Sequence, residues 1–578
     1  MAQNKINKLE LTWIGKEDEP LAIEPRLLLD TPEYSFGEVE TGTLPNGKPW
    51  PGNMLIHGDN LLALRALEEN FQGAVKCIYI DPPYNTGNAF EHYDDNLEHS
   101  IWLNLISKRL RILWSLLSDD GFICCQIDDS EGAYLKVILD EIFGRNNYLN
   151  TYYIQVRYSN KTLTEDNDYQ KVIEQCHVYA KNRRVGKLNR PKAEYDISKF
   201  KWRIVEDAPG RAITLGGKRV EIFQPDQYHV EEIEPAFNGL KETWATGSLA
   251  RVKASAGEFF ELYLATRKQE DGLGCLYKVE GIGEDGLGYR YISGPKKASA
   301  NKGKFYSGIP LNRLAELKAG KSYRYMPVPN FYDYSGNFGN CRLEGGVDFK
   351  GGKKPEILIE MLLSYYSNPG DIVLDSFLGS GTTAAVAHKM GRRWIGVELG
   401  NHAYTHCFTR MKKVVEGEQG GISKSQNWQG GGGFKFYELA PSLLNKDKYG
   451  NLVINKEYNA DMLAAAMAKH QGFTYSPDEE MYWKQGQSSE RDFIFTTTQL
   501  ITTETLETIH DQLGEDESLL ICCTKFQPEC RNKFPNITIK KIPKVLLDTC
   551  EFDHDDYSLN IVSVPDIDDE EWDELDTE

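Results

Sequence analysis

The 578-residue chain has no apolar run long enough to cross a bilayer, and its opening, MAQNKINKLELTW, lacks the basic and apolar blocks of a signal peptide. The expectation is a cytoplasmic protein without membrane attachment. Metal-ligand spacing is missing too: the 11 cysteines include no Cys-x-x-Cys pair and no Cys/His cluster. Cys124-Cys125 and Cys522-Cys523 fall inside strand-like apolar runs, which points to buried reduced thiols and to neither structural zinc nor disulfides. Positive charge is in deficit, with 66 Lys and Arg against 86 Asp and Glu for a formal net charge of −20. Such a balance sits badly with DNA binding, in which phosphate attraction usually dominates. The deficit is uneven, because acidic residues gather in the last stretch, ending VPDIDDEEWDELDTE. Basic runs interleaved with tyrosine, such as KNRRVGKLNRPK, GPKKASANKGK and LKAGKSYRY, occupy the middle. The length exceeds what one core supports and predicts two to four domains.

Against these absences stands Asp81-Pro82-Pro83-Tyr84, directly after the apolar run VKCIYI. That combination suits one chemical task, methylation of an exocyclic amine. The amine of adenine or cytosine is a poor nucleophile because its lone pair is delocalised into the ring. A carboxylate and a backbone carbonyl accepting both N–H bonds localise the lone pair, while an aromatic face stacks on a base rotated out of the duplex. Asp81 and the Pro82 carbonyl are the candidate acceptors, Pro82 and Pro83 fix the backbone, and the ring of Tyr84 is the candidate stacking face.

A second motif, DIVLDSFLGSGTTAAVAHKMGRRWIGVE over residues 371–398, reads as a strand ending in Asp375, a Gly-rich turn, a helix opening at Ser380 to Thr383, and a strand ending in Glu398. Gly379 and Gly381 allow a nucleotide-like ligand to approach the backbone, and the helix N-terminus behind them offers N–H groups. Glu398 is placed to accept from ribose hydroxyls and Phe377 to pack beside the adenosyl or methionyl portion, an arrangement that fits the physical needs of S-adenosylmethionine.

Together these motifs resemble the amino-methyltransferases of DNA, which carry a (D/N/S)PP(Y/F/W) motif and an FxGxG motif on one sheet. The order here, catalytic motif first, is similar to the permuted β class. From His57 to Asn150 and from Lys353 to Leu399 the chain closely resembles the modification subunits of type III restriction-modification systems. The resemblance implies a Rossmann-like α/β sheet with an inserted target-recognition domain and a C-terminal α/β module. It implies Asp81, Pro82, Pro83 and Tyr84 as catalytic residues, and Asp59, Lys353, Asp375, Phe377, Gly379, Gly381, Thr382 and Glu398 as cofactor-binding residues, with no metal. The segment KKPEILIEMLL would start a helix over the methionine end of the cofactor. The implied activity is methylation of adenine N6 in double-stranded DNA at a specific site, in partnership with a helicase-nuclease; aspartate as the first motif residue favours adenine. Cytosine N4 methylation, RNA methylation, or a mainly sequence-reading role in a restriction complex are the alternatives.

Along the chain, residues 1–50 read as an extension and 51–185 as the catalytic half, with a helix near 100–117, a strand GFICCQID, and a strand EQCHVYAK in which His177 is a core residue. Residues 186–330, rich in Gly, Tyr and Lys, are expected to read bases, and 331–415 to form the cofactor half. Residues 416–433 read as a flexible Gly-rich linker, and 434–578 as an α/β module for partner docking or homodimerisation.

Overall fold

The computed structural model describes residues 11–13, 16, 22–84, 95–159, 169–244, 255–300, 303–349, 351–547 and 550–551. The chain divides into two compact units, one of residues 1–189 and 329–578, the other of residues 190–328.

The first unit is built on an eleven-stranded sheet. In chain order its principal strands are β1 (Leu28–Asp30), β2 (Asn53–His57), β3 (Val75–Ile80), β4 (Leu117–Ile127), β5 (Tyr148–Gln155), β6 (Ile173–Ala180), β7 (Phe331–Asp333), β8 (Ile372–Asp375), β9 (Arg393–Glu398) and β10 (Gly433–Leu439). They lie side by side as β1-β10-β2-β9-β8-β3-β4-β6-β5-β7. The run from β10 to β4 is parallel throughout. Parallel strands are covered on both faces, which is why VKCIYI and IVLD are apolar almost without alternation and nearly wholly buried. Helices α1 (Asn60–Phe71), α2 (Asp95–Leu116), α3 (Gly132–Leu139), α4 (Glu356–Tyr366) and α5 (Thr382–Lys389) accompany the sheet. The sheet and helices α1, α2 and α3 share one core, which includes Leu64, Ile78, Leu113 and Leu374.

Strand β3 proceeds to β4 on one side, whereas β8 proceeds to β9 on the other, so the chain changes direction between the adjacent strands β8 and β3. In an open α/β sheet the crevice beyond the carboxyl ends of such strands is the natural ligand site. The βαβ reading of residues 371–398 matches the structure, as does the strand at 174–181. Helix α2 runs straight into β4, which starts earlier than GFICCQID suggested.

One organisational expectation is corrected. Residues 416–433 do not form a flexible linker: Ile422 and Ser423 are buried, the Trp428 indole donates to the Val414 carbonyl at 2.8 Å, and Lys389 is ion-paired to Glu418. The segment leads into β10, which pairs with β2 inside the main sheet, so the sheet continues into the region read from sequence as a separate module. The extension is also integrated, since β1 pairs with β10 and Gly37 abuts Gly433. A Cβ on Gly37 would come within 2.3 Å of the Gly432 carbonyl oxygen, so only glycine permits this crossing. After β10 a five-stranded sheet follows, with Asp492–Ile501, Ser518–Phe526 and Ile537–Lys541 parallel and a helix at Thr503–Gln512. Cys77, Cys124, Cys125, Cys176, Cys275, Cys341, Cys407, Cys522, Cys523 and Cys530 are free thiols, all buried. Among the described residues no helix is long and apolar enough to cross a membrane.

The second unit contains an eight-stranded sheet whose neighbours are all antiparallel. Two apolar clusters hold it, one around Ile222, Phe260 and Tyr277, the other around Phe223, Leu276 and Tyr306.

Candidate active site at the ends of β3, β8 and β9

Asp81 leaves the end of β3, one strand from Asp375 at the end of β8, and Glu398 closes β9 beyond it. The motifs separated by some three hundred residues in sequence thus open into one crevice.

On the β3 side, Asp81 Oδ2 lies 2.7 Å from the Lys354 ammonium. Asp81 Oδ1 accepts a hydrogen bond from the Tyr84 hydroxyl at 2.6 Å. The same hydroxyl is 2.9 Å from Glu174 Oε2, on β6. Gln126 fixes that carboxylate by donating its amide to Oε2 at 2.5 Å, and Tyr79 fixes Gln126 through a 2.7 Å hydrogen bond to Oε1. The Lys354 ammonium is 3.6 Å from Glu174 and sits over the Tyr84 ring, 5.0 Å from its centre. Burial raises the Asp81 carboxyl above its ordinary range, Lys354 opposes that rise, and Glu174 adds to it. The Tyr84 hydroxyl is pushed well above 10 by burial and by the two carboxylates, so it stays protonated. The Pro83 carbonyl accepts from the Trp102 indole at 2.8 Å, which pins the turn. Pro82 is buried, and among the described residues no hydrogen bond engages its carbonyl.

On the β8 side, Asp375 accepts from the Phe377 amide at 2.9 Å and from the Thr383 hydroxyl at 2.6 Å. Burial outweighs both hydrogen bonds and pushes the Asp375 carboxyl up to about 7. Glu398 receives the Gly379 amide on Oε2 at 2.7 Å and the Gly400 amide on Oε1 at 3.0 Å, leaving lone pairs on each oxygen. Gly379 has φ +56°, and a Cβ there would find nothing nearer than the Phe377 carbonyl oxygen at 4.0 Å. Its Cβ side is an open approach. Gly381 caps α5 at φ +80°, against Cys407. The Ser376 hydroxyl is buried without a hydrogen-bond partner. Phe377 packs against the main core, half-buried.

The remaining expected residues make contacts within the scaffold. Asp59 caps α1 by accepting from the Leu62 amide at 3.0 Å, and it faces the fully buried Arg109 guanidinium at 3.4 Å. Thr382 accepts from Arg410 at 2.7 Å. Lys353 donates to the carbonyls of Arg342, Glu344 and Val347 at 2.9, 2.6 and 2.8 Å. An ammonium has three N–H groups, so Lys353 has none left for a cofactor, and burial lowers it to about 8. Its neighbour Lys354 is the lysine that faces Asp81. His177 is the core residue expected, bonded to Thr151 and to the Gly132 carbonyl and lowered to about 4 by burial. Sequence reasoning missed Lys354, Glu174 and Gln126. One of the three left a trace, the polar amide of Gln126 inside GFICCQID.

A switch-point crevice flanked by Asp-Pro-Pro-Tyr and a Gly-turn with its strand-end acid defines the N-6/N-4 class of DNA methylases. Residues 75–408, more than half of the chain, match the family model described as DNA methylase (N6_N4_Mtase), and the chain belongs to that family. It is 35% identical over 429 residues to the "Probable type III restriction-modification enzyme HindVI Mod subunit" of Haemophilus influenzae, covering 71% of this chain and 56% of that protein. It is 24% identical over 523 residues to the type III restriction-modification enzyme EcoP15I Mod subunit of Escherichia coli, covering 78% of this chain and 74% of that one. The chain thus spans little more than half the length of the HindVI relative. Among solved structures it is similar to the cytosine-N4-specific PvuII DNA methyltransferase, with 14% identity, a TM-score of 0.31, and coverage of 64% of this chain and 90% of that one.

Proposed function

We propose that the chain methylates the exocyclic N6 amine of adenine at a specific site in double-stranded DNA, with S-adenosylmethionine as donor, as the modification subunit of a type III system that pairs with a helicase-nuclease. The observation that carries this reading is the adjacency of Asp81 and Asp375 at the ends of β3 and β8, which brings an amine-holding motif against a nucleotide-type pocket. The names of the HindVI and EcoP15I relatives support the type III assignment, and Asp81 as the first motif residue supports adenine.

The donor set fits the cofactor. Glu398 keeps lone pairs for the ribose hydroxyls, Gly379 leaves the backbone approachable, and the unpartnered Ser376 hydroxyl and the Asp375 carboxylate supply polar groups at the strand end. When bound, S-adenosylmethionine supplies an electrophilic methyl group. Asp81 and the unengaged Pro82 carbonyl accept the two N–H bonds of the amine, which localises the nitrogen lone pair, and the Tyr84 ring stacks on the flipped base. Lys354 opposes the burial-driven rise of the Asp81 carboxyl and so favours its ionised, accepting form. In-line displacement needs no covalent enzyme intermediate.

Residues 190–328 are assigned to target recognition. In that unit Lys199, Lys241 and Arg324 line a hollow of about 210 Å³ beside the stacked rings of Tyr195 and Phe200. Burial, and then repulsion from Lys199 and Arg324, depress Lys241 while Asp196 opposes them; Glu194 and Asp196 share the lining, and three cations against two carboxylates leave the hollow net positive, as suits a phosphate. The module after β10 is assigned to docking of the helicase-nuclease or of a second copy. The direct test is Asp81→Ala: methyl transfer to DNA should disappear, a loss of about 3 kcal/mol or more in transition-state stabilisation, with calorimetric cofactor affinity nearly unchanged. Near-normal turnover would refute the assignment.

A further inference from the structure

Methyl transfer from a sulfonium to a neutral amine leaves the nitrogen with one proton too many, and the site must dispose of it. Asp81 is the obvious first acceptor, but an Asp81 that kept the proton would present an O–H donor where the next amine needs an anionic acceptor. Behind it stands a second carboxylate with no role in the steps above. Glu174 and Asp81 flank one ammonium, Lys354, at 3.6 and 2.7 Å. With both ionised the trio carries one net negative charge, so it can take up one proton and become neutral. The Tyr84 hydroxyl has a single proton, yet it lies within hydrogen-bond distance of both carboxylates, 2.6 Å from Asp81 Oδ1 and 2.9 Å from Glu174 Oε2. It is therefore a two-way bridge. Gln126, fully buried and held by Tyr79, fixes the Glu174 oxygen that faces this bridge.

We propose that Glu174 is the terminal proton acceptor of the methyl-transfer reaction, reached from Asp81 through the hydroxyl of Tyr84. As the nitrogen–methyl bond forms and the methyl–sulfur bond breaks, an N–H bond of the amine breaks, its electron pair stays on nitrogen, and the proton passes to Asp81 Oδ1. Asp81 then delivers that proton to the Tyr84 oxygen while the Tyr84 hydroxyl proton moves to Glu174 Oε2. Asp81 is again an unprotonated acceptor, Tyr84 is unchanged, and Glu174 is neutral. Tyrosinate never forms. Glu174 retains 16% side-chain exposure, through which the proton leaves after product release. Among the described residues, the titratable groups around the relay besides its three members are Lys354, Tyr79, Cys176 and Asp375.

This inference rests on the proposed methyltransferase reading, and the experiment separates the two. Full-length wild type, Glu174→Gln, Tyr84→Phe and the double variant are given S-adenosylmethionine labelled in the methyl group and genomic DNA from a host lacking the modification. Single-turnover transfer is followed between about pH 6 and about pH 9, bracketing the neutral range in which carboxylates are ionised and hydroxide becomes available. Phenylalanine keeps the ring that stacks on the base, so its loss reports the hydroxyl alone. Each single variant should be slower by about tenfold or more near neutrality, in the range of a lost proton-transfer group. The deficit should shrink toward high pH, where hydroxide substitutes, and the double variant should be no slower than the slower single. Single variants within twofold of wild type, or losses that ignore pH and multiply in the double, overturn the relay. If Glu174→Gln fails to bind cofactor by calorimetry, the Tyr84→Phe rate and its pH dependence decide alone. Wild type that labels no DNA overturns the methyltransferase reading and the relay with it.

Discussion

The Lys354 ammonium stands 2.7 Å from Asp81 Oδ2, joining the first turn before α4 to the end of β3. Burial works to protonate Asp81 and Lys354 works to keep it ionised. Replacing Lys354 with Met leaves only the Tyr84 hydrogen bond to oppose burial and Glu174, so Asp81 is protonated up to a higher pH. Because the proposed acceptor form is the carboxylate, the acid limb of the pH–rate profile should move to higher pH in Lys354→Met, and activity should recover in part as pH is raised. A profile whose acid limb stays in place would mean that Lys354 does not govern Asp81.

Asp375 gives a second pH signature. Its carboxyl is pushed up to about 7 in the folded chain, against about 3.9 when unfolded. The folded state therefore holds the extra proton between those values, and stability should fall as pH rises from about 4 to about 7. Asp375→Asn should flatten that slope in thermal melts. Binding of the cationic cofactor favours the ionised carboxylate, so calorimetry near pH 7 in buffers of differing ionisation enthalpy should detect proton release that the Asn variant lacks.

For the Gly-turn, Glu398→Ala removes an acceptor from the Gly379 and Gly400 amides as well as from the proposed ribose contact. Affinity for S-adenosylmethionine should weaken by about 1–3 kcal/mol. Gly379→Val forces a branched side chain into φ +56° and into the open approach, and should weaken binding with a stability cost of about 1–2 kcal/mol. Calorimetry with unchanged affinity in both variants would reduce the turn to a βα connection.

The chemistry was legible where it is local. Asp81, Tyr84, Asp375 and Glu398 each terminate or follow an apolar run, and strand ends are where a parallel sheet offers its ligand site. Partners contributed by distant strands left no such pattern: nothing near Glu174 reveals that β6 lies antiparallel to β4 and brings Glu174 to Tyr84. The hydroxyl of Tyr84 was invisible for the same reason, and only its ring was assigned a task. Lys353 and Lys354 illustrate the limit at single-residue scale. Adjacent residues after an irregular segment point in unrelated directions, and here one ammonium is consumed by three carbonyls while the other meets Asp81. The Gly-rich composition of residues 416–433 suggested flexibility, yet its glycines serve tight turns and close approaches, as where Gly432 abuts His388.

Target choice should reside in residues 190–328. A pocket for one flipped base cannot identify the neighbours of that base. Exchanging this unit for that of a relative should move methylation to the relative's motif while the modified base stays the same; a folded, active chimera that keeps the original motif would refute the assignment.

The most direct measurement is sequencing of DNA from a host expressing the chain, by a method that detects modified bases in place. N6-methyladenine is expected at one recurring sequence motif, absent when Asp81→Ala is expressed instead. N4-methylcytosine at the motif, or the same adenine mark from the Asp81→Ala chain, would contradict that expectation.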